Sequence, residues 1–133
     1  MNWRPPDRED RQVAALWAVC AALAILLRPV WLATARFLPV CPWHAWTGWP
    51  CPGCGTTRAL VRLLHADLLG ALAFNPLAAL AATTFVAAGL AAPLWLACGG
   101  YAPCLPTRAP RAGVAVAAVS VLANWAWLFA SGV

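Results

Sequence analysis

The chain has 133 residues, of which 63% are hydrophobic and 10% are charged. Because a small soluble domain leaves much of its surface in water, this composition excludes an ordinary soluble fold and favours a lipid bilayer as the solvent. The net charge of +5 comes from nine arginines and four acidic residues. These arginines stand singly or in twos between apolar runs, so they indicate the flanks of membrane spans and disfavour a nucleic-acid-binding surface.

The first 35 residues contain a polar tail, residues 1–12, and the first predicted membrane span, residues 13–35. Arg28 and Pro29 interrupt the apolar run, and its uninterrupted part is shorter than the roughly 20 residues that a span requires. The long side chain of Arg28 can reach the membrane interface, so the whole stretch is predicted to cross the bilayer. A signal peptide cleaved after residues 33–35 is the alternative, which the acidic residues of the tail disfavour.

Residues 37–55 are dense in proline, glycine, cysteine and tryptophan, a composition that predicts a loop without a regular helix. After this loop, leucines recur at helical spacing while Arg58 and His65 lie on another side. The pattern predicts an amphipathic helix over residues 56–74, lying at the membrane surface or against the other helices. Asp67 is placed to cap a second short turn inside this stretch.

Two charge-free runs complete the chain. Asn75 is a typical helix cap and Pro76 suits the first position of a helix, so the second span is predicted over residues 76–98. A loop rich in proline and glycine, residues 99–112, leads to the third predicted span, residues 113–133. The sequence thus predicts one all-α membrane domain with about three transmembrane helices and an amphipathic interfacial helix after the cysteine-rich loop.

Asn124 lies inside the third predicted span, where lipid offers no hydrogen-bond partner. Thr83 and Thr84 of the second span are the partners that we expect for its amide. No acidic residue lies inside any predicted span, and this absence disfavours a small transporter subunit, since transport sites need ionisable groups within the membrane.

Three spans would place the two ends of the chain on opposite sides of the membrane. The tail and the loop over residues 99–112 share one side with five arginines, which are Arg4, Arg8, Arg11, Arg108 and Arg111. The cysteine-rich loop and the helix after it have three, which are Arg36, Arg58 and Arg62. Since basic residues accumulate on the cytoplasmic side, we expect a multi-pass protein of the bacterial inner membrane with a cytoplasmic N-terminus.

Three of the six cysteines lie within fourteen residues, in the strings Cys41-Pro-Trp-His44 and Cys51-Pro-Gly-Cys54. Each string carries two ligand-forming side chains with two residues between them, a spacing that lets both bind one tetrahedral ion. Cys41, His44, Cys51 and Cys54 are therefore the predicted ligands of a zinc site. Metal binding would offset the free-energy cost of ordering a loop so rich in proline and glycine.

Two other interpretations of the same segment stay open. Cys51 and Cys54 could form a disulfide or a redox pair, because a helix beginning just after Cys54 would lower the pKa of its thiol and Arg58 would add to this effect. No thioredoxin-like pattern surrounds the pair, which disfavours a redox-enzyme fold. In the second alternative, the cysteines, prolines and glycines only shape a tight turn.

The remaining sulfur-bearing and ionisable residues offer little chemistry. Cys20 and Cys98 lie in apolar runs and are predicted to be packing residues, whereas Cys104 stands alone in a loop. His65 and Asp67 could act as acid and base, but two ionisable residues are a thin basis for catalysis. We therefore predict no catalytic residue and favour a non-enzymatic protein that acts through a membrane-protein partner. The cofactor stays open, with zinc as the candidate.

The segment CPWHAWTGWPCPGCGTTRALVRLLHADLLGALAFNPL resembles the hallmark of domain-of-unknown-function family 2752, which consists of small bacterial membrane proteins. The matching core is Cys51, Pro52, Cys54, Gly55, Thr57, Arg58 and Ala59. The later matching elements are His65, Asp67-Leu68 and Asn75-Pro76. The resemblance covers about residues 37–98 and implies a membrane architecture in which the cysteine loop is important. The family has no established activity, so the resemblance implies no substrate.

Overall fold

The computed structural model describes residues 3–38, 41–103 and 110–132. The helices of these residues are α1 (Arg8–Leu26), α2 (Arg28–Thr34), α3 (Pro42–Thr47), α4 (Thr56–Leu64), α5 (Leu68–Phe74), α6 (Pro76–Ala97) and α7 (Arg111–Ser131). A 3-10 turn, Ala35–Phe37, follows α2. Two short strands, β1 (Trp3–Arg4) and β2 (Ala102–Pro103), pair antiparallel. The pairing brings the polar tail and the segment after α6 to the same end of the molecule.

Two helices, α6 and α7, are long and apolar enough to cross a membrane. A third span results if α1 and the helical segment that begins at Arg28 are taken together as one broken helix. The described part of the chain thus has two or three candidate spans. This count confirms the predicted all-α membrane fold.

The first predicted span begins earlier than expected and is broken near its far end. The side chain of Asp7 accepts a hydrogen bond from the backbone N–H of Asp10, and that of Asp10 accepts one from Asp7, so α1 starts at Arg8 inside the polar tail. Pro29 lies in the first turn of α2 and has no N–H to continue the hydrogen bonding of α1. The chain bends by 58° at this break.

The prediction that residues 37–55 contain no regular helix is wrong at α3, which spans six residues. Pro42 occupies the first turn of α3, where its missing N–H costs nothing. Gly48 ends the helix with a φ of +70°, a left-handed conformation that glycine adopts without strain. Proline and glycine therefore delimit a short helix here and do not prevent one.

The predicted amphipathic helix over residues 56–74 is two helices, α4 and α5, with a break at residues 65–67. Ala66 has a φ of +61° at this break, and the side chain of Asp67 accepts a hydrogen bond from the backbone N–H of Gly70 at 2.8 Å. The prediction that Asp67 caps a second helical turn is confirmed. Both helices pack on α6 around three fully buried alanines, Ala59, Ala71 and Ala79.

The first helix packs on α6 through small side chains. Ala21 and Gly89 are buried and meet at this contact, where a Cβ atom added at Gly89 would lie 3.0 Å from that of Ala21. A Cβ atom added at Gly89 would lie 2.8 Å from Cδ1 of Trp17, so only glycine allows this approach. Trp17 also packs on Phe85, with 5.8 Å between ring centroids. Close contact between small residues is the usual basis of helix pairing in membranes, where lipid is as apolar as the side chains.

The last helix contacts the other helices mainly through its C-terminal half. Asn124 and Leu128 are its buried residues. In the N-terminal half, valines such as Val114, Val116 and Val119 are exposed, as befits a helix face that meets lipid. This arrangement places the buried end of α7, with its polar side chains, beside the cysteine loop.

Candidate metal centre

The cysteine cluster consists of Cys41, Cys51 and Cys54, whose sulfur atoms all lie within 4.8 Å of one another. Cys41 immediately precedes α3, and the other two cysteines enclose a turn in which the N–H of Cys54 donates to the carbonyl of Cys51 at 2.9 Å. The Sγ atoms of Cys41 and Cys51 are 3.6 Å apart, and those of Cys51 and Cys54 are 3.3 Å apart. Three predicted ligands that are up to thirteen residues apart in sequence thus meet at one point.

The three thiols differ in their surroundings. Cys54 is 7% exposed, and burial raises its pKa to about 11, because a buried site disfavours the charged thiolate. The sequence-based expectation of a lowered pKa for Cys54 is wrong, since burial outweighs the favourable field of the α4 N-terminus. The pKa of Cys41 is lowered, first by the backbone N–H of His44 and then by hydrogen bonding to Cys51.

His44 does not join the sulfur cluster, although it was a predicted ligand. The cluster of potential ligand atoms contains the three sulfurs and no histidine nitrogen among the described residues. His44 lines a cavity of about 360 Å³ that Cys41 and Cys54 also line. Its Nδ1 atom is buried and has no hydrogen-bond partner in the described part of the chain. A buried ring nitrogen without a partner is unfavourable, so this atom can gain from a partner in the cavity.

Asn75 connects the cysteine loop to the start of α6. Its Nδ2 donates to the carbonyl of Cys54 at 2.9 Å and to Oγ1 of Thr56 at 3.3 Å. Its Oδ1 accepts from the backbone N–H of Ala78 at 2.9 Å and thereby caps α6. The residue is 1% exposed. One buried amide thus satisfies both a loop carbonyl and a helix N–H that has no partner within its own helix.

The closing helix donates two further hydrogen bonds to the loop. Nε1 of Trp125 donates to the carbonyl of Pro50 at 2.8 Å, and Nδ2 of Asn124 donates to that of Pro52 at 3.4 Å. Oδ1 of Asn124 accepts from the backbone N–H of Leu77 at 2.9 Å, which adds a second cap to α6. We call Asn75, Asn124 and Trp125 the polar frame of the loop.

The partners predicted for Asn124 are wrong. The hydroxyl of Thr83 donates to the carbonyl of Ala79 within its own helix and does not reach α7. The position of Asn124 inside an apolar run was the signal that it needed partners, but the sequence did not show that these are backbone groups of distant residues. The role of Trp125 was missed, because tryptophans near membrane interfaces are common and carry no specific signal.

The other predicted motif residues form no catalytic arrangement in the part of the chain that the structure describes. Nδ1 of His65 lies 2.8 Å from the carbonyl oxygen of Val61, while Asp67 pairs with Arg62 at 3.0 Å. The Arg58 guanidinium lies over the ring of Phe74, 5.9 Å from its centroid. Thr57 is exposed and lines the cavity near His44. His65 and Asp67 are thus engaged with separate groups.

The cysteines outside the cluster take no part in it. Cys20 lies in α1 and Cys98 follows the last residue of α6, and both are exposed; their role as packing residues stays a prediction. A free thiol behaves as a small apolar group, so it is acceptable at both positions. Cys104 and Arg108 lie outside the described residues.

Comparison with known proteins identifies one family and no individual relative. No curated protein and no solved structure matches the chain. Residues 41–89 match the family described as protein of unknown function (DUF2752). The matched segment runs from Cys41, the first cluster cysteine, to Gly89, the residue of closest approach to α1. Over this segment, the match confirms the resemblance that the cysteine motif predicted.

Proposed function

We propose that Cys41, Cys51 and Cys54 bind one zinc ion, which fixes the loop as a rigid cap on a membrane protein that acts through a protein partner. The observation that carries the proposal is the convergence of three sulfur atoms within 4.8 Å of one another. Sulfur ligands about 2.3 Å from a tetrahedral zinc ion are about 3.8 Å apart. The distances of 3.3 and 3.6 Å in the cluster are slightly shorter, so an ion would fit after a small expansion.

His44 is the fourth ligand that we propose. Structural zinc sites have four protein ligands, and three cysteines with one histidine are a common set. His44 lines the same cavity as Cys41 and Cys54, and its buried Nδ1 has no partner among the described residues. We propose that binding of the ion brings a ring nitrogen of His44 to it, through movement of the His44 side chain or of α3, a short helix bounded by Cys41 and Gly48.

A closed set of four ligands supports a structural role for the ion. Catalytic zinc keeps one position open for water or substrate, which this set would not do. His65 and Asp67, the other acid–base candidates, are bound to separate groups. We therefore propose that the protein is not an enzyme.

The outer surface of the loop is suited to contact with a partner or with the membrane interface. Trp43, Trp46 and Trp49 are all exposed, and Trp46 is 90% exposed. Exposed tryptophans are enriched both in protein interfaces and at the headgroup level of membranes. We propose that the zinc-fixed loop presents these rings on the outer face of a bacterial inner membrane, with the tail in the cytoplasm, as the arginine distribution favours.

Metal analysis of the purified chain tests the proposal directly. We expect about one zinc per chain in the wild type and in Cys20→Ser, a matched variant outside the cluster. Cys51→Ser and Cys54→Ser should lose the ion. In cobalt-substituted protein, His44→Gln should change the visible absorption of a tetrahedral site, because a nitrogen ligand is lost. Metal-free wild type with Cys51 and Cys54 oxidised would contradict the proposal.

A thiol redox protein is the second candidate, favoured by the 3.3 Å distance between the sulfurs of Cys51 and Cys54. Such a pair would form a disulfide and pass two electrons and two protons to an oxidised partner protein. The raised pKa of Cys54 works against it, because thiolates and not thiols are the reactive species. Alkylation of the thiols at graded potentials distinguishes the two functions, since only a redox pair would change state within the physiological range.

A further inference from the structure

A second and larger cavity, of about 790 Å³, lies where the bent first span, α4 and α6 meet. Its wall is almost entirely apolar and includes Ile25, Trp31, Leu60, Leu64 and Val86. The volume falls within the roughly 300–1,000 Å³ that is typical of sites for small ligands. Water has few hydrogen-bond partners in such a cavity, so an apolar occupant is favoured.

One charged residue, Arg28, contributes to the described lining of this cavity. Arg28 stands at the break between α1 and α2, inside the first predicted span. None of the four acidic residues of the chain forms an ion pair with it in the described structure, where the ion pairs involve Arg4 and Arg62. The side chain of Arg28 is exposed and long enough to reach the membrane interface. Without an anionic partner from the described chain, its positive charge is unmatched beside an apolar cavity.

We propose that this cavity binds an acyl chain of an anionic phospholipid, with the lipid phosphate held by Arg28. The apolar wall suits the chain, and the unmatched guanidinium suits a phosphate, to which arginine forms two parallel hydrogen bonds. The proposal does not depend on the zinc site, although the two cavities are neighbours that share Ala35, Leu38 and Thr57 in their walls. A bound lipid would therefore lie next to the cysteine loop.

Native mass spectrometry of the full chain, released from detergent micelles, tests the charge recognition. The probes are phosphatidylglycerol and phosphatidylcholine with identical acyl chains. We expect one lipid per chain and about a fivefold preference for the anionic lipid, the effect of one arginine near a lipid surface. Arg28→Gln should abolish the preference and Arg28→Lys should retain most of it. The control Arg36→Gln, outside both cavity walls, should leave it unchanged.

A second pair of variants tests the cavity itself. Ala82 lines the cavity and Ala81 does not, so Ala82→Phe should reduce the binding of both lipids while Ala81→Phe should not. Circular dichroism checks that both variants keep their helix content. The proposal is overturned if wild type binds the two lipids equally, if Arg28→Gln keeps the preference, or if Ala82→Phe binds like Ala81→Phe. Displacement of the anionic lipid by inorganic phosphate alone would also overturn it, because the site would then be one for free phosphate.

Discussion

Different interactions stabilise the helix pair α1 and α6 and the cysteine loop with its polar frame. At the first, Ala21 and Gly89 let two helices approach so closely that a single added Cβ would meet Trp17. At the second, side-chain amides and an indole bind backbone carbonyls of an irregular loop. Helices satisfy their own backbone, so they need only a fitting surface, whereas an irregular loop must obtain donors from elsewhere.

Asn75→Ala should have the largest effect of any single substitution in these two regions, because it removes both a loop hydrogen bond and a helix cap. We expect the free energy of unfolding to fall by about 3 kcal/mol, from a lost cap and a buried carbonyl left unpaired. Zinc content should fall with it. Asn75→Ser separates the two roles, since serine caps a helix about as well as asparagine but is too short to reach the carbonyl of Cys54.

Hydrogen exchange is the measurement for this pair of variants. In Asn75→Ser the first turn of α6 should keep its protection while residues 51–56 lose theirs. Equal protection of the loop in the wild type and in Asn75→Ser would show that the Asn75 amide does not position the cysteines.

Gly89→Ala should destabilise the contact between α1 and α6 and leave the cysteine loop unchanged. The added methyl group would meet the Trp17 ring at 2.8 Å, and overpacking of this kind costs about 1–3 kcal/mol. The matched variant is Gly113→Ala in α7, where the new Cβ would have only an ordinary contact with Pro110 at 3.4 Å. Unfolding in mixed micelles measures both, and metal analysis should find the same zinc content in each. A loss of zinc in Gly89→Ala would mean that the two regions are coupled.

High pH should destabilise the cysteine loop and leave the contact between α1 and α6 unchanged, without any substitution. Burial raises the pKa of Cys54 from 9.0 to about 11, so the folded metal-free chain binds this proton more tightly than the unfolded chain does. Its contribution to stability is complete below pH 9 and is lost as the pH rises to about 11, on the order of 2 kcal/mol in total. Because the pKa of Cys41 is lowered from 9.0, its ionisation changes the free energy of unfolding only below about pH 9. It therefore does not offset the loss of stability above that pH.

Denaturant titrations of metal-free protein at about pH 8 and about pH 11 test the pH effect. Cys54→Ser should remove most of the difference, because serine does not ionise. The contact of α1 with α6 involves Ala21, Gly89 and Trp17, none of which titrates, so cross-linking between these helices should not change with pH. A difference of the same size in Cys54→Ser would assign the pH effect to another group.

Trp125→Phe should have the smallest effect, because it removes one N–H and keeps most of the ring contacts. The lost bond to the carbonyl of Pro50 at 2.8 Å should cost about 1 kcal/mol. Trp127→Phe is the control, since Trp127 donates to Ala73, away from the loop, and is more exposed. Only Trp125→Phe should speed hydrogen exchange in the cysteine loop. Identical exchange in both variants would remove Trp125 from the polar frame.

The sequence predicted most of what local chemistry determines. The charge-free runs indicated α6 and α7, Asn75 and Pro76 indicated the start of α6, and Asp67 indicated the cap of α5. Helix periodicity and capping act over a few residues, so they can be recognised without knowledge of the fold. The paired cysteine spacing likewise indicated three side chains that the structure brings together.

What the sequence did not predict depends on distant contacts or on competing effects of similar size. The partners of Asn124 are 47 and 72 residues away, and nothing near Asn124 identifies them. Burial raises the pKa of Cys54, whereas a helix N-terminus lowers it. Which of the two effects is larger can be decided only from the packed structure. The short helix α3 has proline and glycine at its ends. Because these residues can either delimit a helix or prevent one, the sequence alone did not predict α3.

The polar frame has a consequence for the order in which the protein is completed during synthesis. Pro50 and Pro52 leave the ribosome more than seventy residues before Trp125 and Asn124, the residues that bind their carbonyls. The cysteine loop is therefore synthesised before two of the three residues of its polar frame. The two hydrogen bonds from α7 can form only after the residues of α7 have been synthesised.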